Sequence, residues 1–178
     1  MTTSWHDVRQ AAPALASRVE ASFAAHRHHV LATLRADGSP RVTGLEVAFL
    51  GGEVWLGMIW HSRKALDLRR DARLAVHANP GPGADLLAGD ARFGGRAVEV
   101  TEGPARAAYI AEIKPPQPFH LFRIDVSDVT HTLIIDGDLR LWTWRPGGGP
   151  RTVWPHGRAA SGASGGSRDT GQEAGEGC

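Results

Sequence analysis

Ser62, Arg63 and Lys64 carry the clearest chemical signal in the chain. They follow the apolar run 54–60 and open the amphipathic stretch Ala65-Leu66-Asp67-Leu68-Arg69-Arg70. A hydroxyl, a planar guanidinium able to bind two oxygens at once and a point ammonium charge stand together where a strand runs into a helix. A helix start also presents free backbone N–H groups and the positive end of its dipole. Cations there oppose the dipole, at a cost of roughly 0.3 kcal/mol or more, unless an anion compensates. The triplet therefore reads as an anion site, and a terminal phosphate matches it better than a carboxylate. Lys64 weighs further because it is one of only two lysines, with Lys114, among 20 basic residues. Arg69 and Arg70 close the same helix, where cations suit the dipole and no ligand is needed.

The other chemistry-bearing residues point less sharply. Of nine histidines, His26, His28 and His29 cluster, but His28 and His29 would face opposite sides of a strand, and no Glu or Cys completes a first ligand set, so no metal site is expected. His61 and His77 flank the proposed helix. Hydrogen-bonded structural roles suit both, and His61 is also the catalytic candidate, as a donor near a bound ring. Glu46 lies in an apolar strand, facing an arginine or solvent, and is a candidate substrate contact. Trp142, Trp144 and Trp154 suit a core or an interface, or stacking on a ring. Outside the Gly/Ser-rich tail no Gly-x-Ser-x-Gly occurs, and there is no Walker loop or strand-borne Gly-x-Gly-x-x-Gly.

The elements that must position these residues follow from period and punctuation. Ser4-Trp5-His6-Asp7 resembles a capping box, Pro13 suits a helix first turn, and Leu15, Val19 and Phe23 recur at helical spacing, so two helices precede residue 27. Their apolar face packs on the body or on a partner subunit. Strands are expected at 30–34, 41–50 and 53–59, with Gly51-Gly52 as a hairpin turn and the three forming a meander that brings Arg41 toward the anion site. Ser62 caps the helix to Arg70, and a fourth strand spans 74–78. The loop 79–90 is longer than a hairpin needs. A strand at 92–101 carries Gly94-Gly95, a bulge signal. A helix at 104–114 and strands at 119–125, 129–135, 139–144 and 152–154 complete a mainly β chain with peripheral helices, a six- to eight-stranded antiparallel split β-barrel. Three segments result: an N-terminal helical segment 1–27, a barrel domain 28–158 and a Gly/Ser-rich tail 159–178 expected to be disordered.

Bulk properties narrow the function classes. Twenty basic against 19 acidic residues leave a formal charge of +1, which argues against nucleic acid or a membrane surface as partner. The single cysteine, Cys178, excludes an internal disulfide framework and a Cys-based zinc site. With no signal-peptide pattern and no long apolar run, a cytoplasmic location is expected.

Four segments, in this order, carry a resemblance: Leu31-Ala32-Thr33-Leu34-Arg35-Ala36-Asp37-Gly38-Ser39-Pro40-Arg41-Val42, Val54-Trp55-Leu56-Gly57-Met58, Ser62-Arg63-Lys64-Ala65 and Arg70-Asp71-Ala72-Arg73. Through them the chain, from about Ala25 to Pro155, resembles the pyridoxamine 5'-phosphate oxidase-like FMN-binding split-barrel superfamily, most of all the flavin- and deazaflavin-dependent oxidoreductases of actinobacteria. The resemblance implies that Arg63 and Lys64 grip the phosphate of flavin mononucleotide (FMN) or of the deazaflavin F-420, with Ser62 capping. It places Arg41, Val42 and Thr43 along the cofactor, Gly57 and Met58 beside it, and the cofactor at a homodimer interface. Departures are equally informative. Where the oxidase proper has a lysine for the phosphate of its vitamin substrate, this chain has Glu46. A family glutamine falls near Asp90, and the oxidase's C-terminal substrate-binding arginine segment has no counterpart. The implied function is hydride transfer between the cofactor and a small organic substrate, not pyridoxamine phosphate oxidation. The alternatives are a non-catalytic module that binds a cofactor or haem, and an interaction dimer with a vestigial site.

Overall fold

The computed structural model describes residues 3–81 and 89–153 of the 178-residue chain. Two helices come first, α1 (Trp5–Ala11) and α2 (Pro13–Ala24). The capping box forms in both directions: the Asp7 N–H donates to Ser4 Oγ at 3.2 Å, and the Ser4 N–H to Asp7 Oδ2 at 2.8 Å. Leu15, Val19 and Phe23 of α2 join Trp5 and Val8 of α1 in the main core beneath the sheet. The apolar face thus packs on the body of its own chain.

The strands are β1 (His29–Leu34), β2 (Pro40–Leu45), β3 (Ala48–Leu50), β4 (Glu53–Ile59), β5 (Arg73–His77), β6 (Asp90–Glu99), β7 (Phe119–Ile135), β8 (Asp138–Trp144) and β9 (Arg151–Val153); α3 (Arg63–Arg70) follows β4 and α4 (Pro104–Ile113) follows β6. They form one nine-stranded sheet in the order β2-β1-β5-β6-β7-β4-β3, with β8 and β9 branching from β7. Every pairing is antiparallel. The mainly β class is as expected, and the described residues hold one strand beyond the upper count. The ends β2 and β3 do not pair, so the barrel is split rather than closed.

Two expectations are corrected. Residues 41–50 are not one strand: the chain breaks at Glu46 and Val47, β2 pairs with β1, and β3 pairs with β4. The expected meander is therefore absent. The reason lies in β4, whose two faces are both apolar: Leu56 and Met58 enter the main core, while Trp55 packs in a second cluster with Tyr109, Phe119 and Leu121. A strand buried on both faces belongs inside the sheet, and β7 supplies its other neighbour, with Gly57 opposite Leu121 and Ile59 opposite Phe119. The second correction concerns 119–125 and 129–135, which are one 17-residue strand. The register slips opposite Gly94 and Gly95, the bulge those glycines foretold.

A Cβ on Gly95 would sit 2.6 Å from the Asp125 carbonyl oxygen. Backbone cannot yield as a side-chain tip can, so Gly95→Ala is expected to destabilise by about 2 kcal/mol. Urea unfolding would show it, and an unchanged midpoint would mean that the bulge is not tightly packed. At the hairpin, Gly51 and Gly52 have φ of +62° and +78°, the conformation a two-residue turn between twisted strands requires. Residues 82–88 of the long loop, Trp154 and the tail 159–178 lie outside the described residues.

Candidate functional site

The β4–α3 junction is built by a reversal of the chain at His61, a non-glycine residue at φ +56°. Its backbone N–H donates to Nε2 of His120 at 3.2 Å, and His120 Nδ1 lies 2.6 Å from Glu99 Oε1. With Nε2 accepting, the ring proton sits on Nδ1 and is donated to Glu99, so His120 is held in one tautomer. Glu99 in turn pairs with Arg69 of α3 at 3.0 Å. His120 is buried on β7, and Trp60 stacks on it at 4.3 Å between ring centroids. A lone histidine in the apolar run Phe119-His120-Leu121 was the only signal for this support in the sequence.

After the reversal, Ser62 takes the N-cap position with extended backbone, as expected, but its side chain does not cap. Its Oγ is buried without a hydrogen-bond partner among the described residues. Leu66 is the first helical residue to donate within the helix, to the Ser62 carbonyl at 3.1 Å, so the N–H groups of Arg63, Lys64 and Ala65 precede the ladder. The exposed Arg63 guanidinium has no partner among the described residues. Lys64 is half-buried, and its ammonium donates to the Gly44 carbonyl of β2 at 2.5 Å. Burial lowers its pKa, the mark of a cation short of neighbouring negative charge.

Strand β2 lies against this helix start. Its alternation puts Arg41 and Thr43 on the face shared with Thr33 and Leu31 of β1, and Val42 on the other, where it is exposed. Thr43 Oγ1 is another buried hydroxyl without a partner among the described residues. Arg41 Nε donates to Asp67 Oδ2 at 2.6 Å. Asp67, which sequence reasoning passed over, is buried inside α3 and also accepts from Thr33 Oγ1 at 3.0 Å and from Arg70 at 3.3 Å. Burial pushes its carboxyl up, but the bonds from Arg41, Thr33 and Arg70 outweigh that and hold it below the usual carboxylate range.

Ser62, Arg63 and Lys64 thus stand together at the helix start, with Lys64 tied to Gly44 of β2 and Arg41 reaching the helix through Asp67 and not through β4. Gly57 and Met58 lie differently. A Cβ on Gly57 would stand 2.5 Å from the Tyr109 hydroxyl of α4, and the Met58 side chain is in the core. Glu46, at the β2–β3 break, pairs with Arg27 at 2.9 Å and lies 3.6 Å from His28. The His61 ring is exposed and stacks on Trp60 at 4.8 Å. Among the described residues no three His, Cys, Asp or Glu gather in a metal-binding cluster, and no helix is long and apolar enough to cross a membrane.

The arrangement sets the orphaned Ser62 hydroxyl, three unladdered amides and the Arg63 guanidinium at one helix start, with the Lys64 ammonium beside them, a donor set suited to an anion. Comparison with known proteins bears on which one. The family model described as pyridoxamine 5'-phosphate oxidase matches residues 15–133, about two thirds of the chain. No curated protein sequence matches. Among solved structures, an FMN-binding protein related to pyridoxamine 5'-phosphate oxidase from Nostoc punctiforme aligns with a TM-score of 0.60 at 14% identity, covering 81% of this chain and 96% of that one. ChuZ from Campylobacter jejuni aligns at 0.59 and 12% identity, covering 74% and 59%. HutZ, a heme storage protein from Vibrio cholerae, aligns at 0.54 and 17% identity, covering 64% and 90%. At these identities the likeness is one of fold.

Proposed function

The chain belongs to the pyridoxamine 5'-phosphate oxidase family, and from that premise we propose that it binds FMN or the deazaflavin F-420 through the β4–α3 junction, as an oxidoreductase working on a small organic substrate. The observation that carries this reading is the buried, partnerless hydroxyl of Ser62 at the start of α3, beside Arg63 and Lys64. Buried polar groups without partners are uncommon, and a phosphate at the helix start would satisfy this one.

In this reading Arg63 and Lys64 supply charge, the free amides of α3 supply directed donors, and Arg41 braces β2 against α3 through Asp67. His61 and Trp60 form the exposed aromatic edge next to the phosphate, with His61 as the candidate donor to a bound ring. The cofactor, when bound, supplies hydride chemistry, and the chain supplies anchoring and orientation. A homodimer with the cofactor at its interface is part of the proposal. Pyridoxamine phosphate is not the proposed substrate, because Glu46, an anion paired with Arg27, stands where the resemblance calls for a phosphate-binding lysine.

FMN and F-420 titrated side by side, followed by fluorescence, test the reading. Saturable binding of either supports it, and binding of neither overturns it. Ser62 offers a finer test. An N-cap serine normally contributes about 1 kcal/mol through its side chain, but this one makes no cap bond. Ser62→Ala is therefore expected to leave the Tm of the cofactor-free protein nearly unchanged while weakening cofactor binding about tenfold, the effect of removing a charge-assisted hydrogen bond. A drop in Tm without a loss of affinity would assign Ser62 to the fold alone.

A second reading is haem binding, favoured by the likeness to a heme storage protein. The exposed His61 imidazole is the residue of the junction that would hold the haem iron. A Soret band that disappears in His61→Ala would select this reading over the first.

A further inference from the structure

Three non-glycine residues among those described have positive φ: His61, Lys114 and Asp136. Two of them stand where that conformation is ordinary. Lys114 is the left-handed C-cap of α4, and Asp136 precedes Gly137 in the turn between β7 and β8. His61 instead takes the third position of the turn Ile59-Trp60-His61-Ser62, which the Ser62 N–H closes by donating to the Ile59 carbonyl at 3.0 Å. With φ positive at His61 but not at Trp60, this is the type II pattern, whose third position ordinarily belongs to glycine. A residue with a Cβ suits the type I form better, where that φ is negative. The two forms differ by a turnover of the central peptide, about 150–170° in each dihedral beside it. Here that peptide joins Trp60 to His61.

His120 explains why the less favourable form persists. Its Nε2 accepts the N–H of that same peptide. The ring cannot turn to suit the other form: it is 1% exposed, Glu99 holds Nδ1 at 2.6 Å, and Trp60 stacks on its face. A turned peptide would set the Trp60 carbonyl oxygen against the Nε2 lone pair. Because the peptide is trans, its carbonyl points opposite to its N–H, away from the buried His120 ring. That oxygen accepts no hydrogen bond among the described residues. It belongs to the peptide between two exposed residues, immediately before Ser62 and the start of α3. A strained backbone thus holds out an unused acceptor beside the anion site.

Resting on the reading of the junction as a flavin-type cofactor site, we propose that the Trp60 carbonyl accepts a hydrogen bond from an N–H on the ring of the bound cofactor, and that His120 is the positioning residue that keeps this carbonyl turned outward. FMN and F-420 both carry a ring imide N–H that suits a carbonyl, whereas a carbonyl oxygen offers nothing to a phosphate dianion. The Trp60 carbonyl therefore adds recognition of the ring to a helix start equipped for the anion.

The exposed position 61 supplies the first test. His61→Gly and His61→Val both lose the imidazole, but glycine favours the type II form and a β-branched residue opposes it. FMN, with F-420 in parallel, should bind the valine variant about tenfold more weakly than the glycine variant, the effect of one hydrogen bond. His120→Phe, which keeps a planar ring against Trp60, should weaken binding about tenfold in the otherwise wild-type chain, and less than about twofold when added to His61→Gly. Inorganic pyrophosphate, titrated calorimetrically, should bind these variants no more weakly than the wild type, since it has no ring N–H to offer. Crystal structures should show a negative φ at residue 61 in His120→Phe and a positive one in the double variant. Equal cofactor affinity of the glycine and valine variants, an equal loss from His120→Phe in both backgrounds, a parallel loss of pyrophosphate binding, or an unturned peptide in His120→Phe would each overturn the proposal alone. A wild-type chain that binds neither cofactor would overturn the reading of the junction, and the proposal with it.

Discussion

Lys64→Glu is expected to weaken FMN or F-420 binding by about a hundredfold or more, the largest single effect on affinity anticipated for this chain. Replacing an attractive by a repulsive unit charge about 4–5 Å from a phosphate, near a surface, changes the interaction by about 3 kcal/mol or more. The fold should tolerate the change, because the ammonium makes one hydrogen bond, to the Gly44 carbonyl of an edge strand. A glutamate in the first turn also suits the α3 dipole better than a lysine does. Stability and binding should thus move in opposite directions, which separates a ligand site from a structural cation. The check is a cofactor titration of the variant alongside its thermal melt. Unchanged affinity would place the phosphate elsewhere, and Lys64→Gln, losing charge without reversal, should fall between.

The largest expected effect on stability belongs to Asp67→Ala. Removing one member of a buried ion pair strands the other, and here the carboxylate serves Arg41, Arg70 and Thr33 together. The expected loss is about 3 kcal/mol, toward the lower end for buried pairs, since the Arg41 side chain is 23% exposed. The same group gives a signed pH dependence. Its carboxyl is held below the ordinary value in the folded chain, so its contribution is fully present above about pH 4, the range of an unfolded aspartate, and is lost as pH falls through the folded value. Chemical denaturation at pH 7 and at successively lower pH should show the wild type losing stability on acidification, and the variant losing correspondingly less. Equal slopes would mean that Asp67 is not the titrating group. Arg41→Gln should resemble Asp67→Ala in stability more than Lys64→Glu in affinity, because its guanidinium is committed to the brace.

Much of the local structure was legible in the chain because it rests on short-range physics. The capping box at Ser4, the helical spacing of Leu15, Val19 and Phe23, the positive φ at Gly51-Gly52, the Gly94-Gly95 bulge and the strand-to-helix turn at Ser62 each depend on residues within a few positions of one another. The break at Glu46 and Val47 was not legible, since residues 41–50 are uniformly strand-like and only competition for partners divides them. Nor was the 17-residue β7, whose polar Ser127-Asp128 reads as a turn until a bulge absorbs it.

By itself the sequence determined that a cationic helix start follows a buried strand in a mainly β chain, with Ser62, Arg63 and Lys64 at that point. Tertiary structure decided which of those groups is free to bind. Arg41 was drawn to a carboxylate 26 residues away in the sequence, and His120 came under the junction from 59 residues beyond His61. The Ser62 hydroxyl and the Trp144 indole N–H were left without partners among the described residues. A residue's type states what it can bond. Whether that capacity is already used depends on neighbours supplied by strand order, and strand order is set by the burial of both faces of β4 and β7 rather than by any local signal.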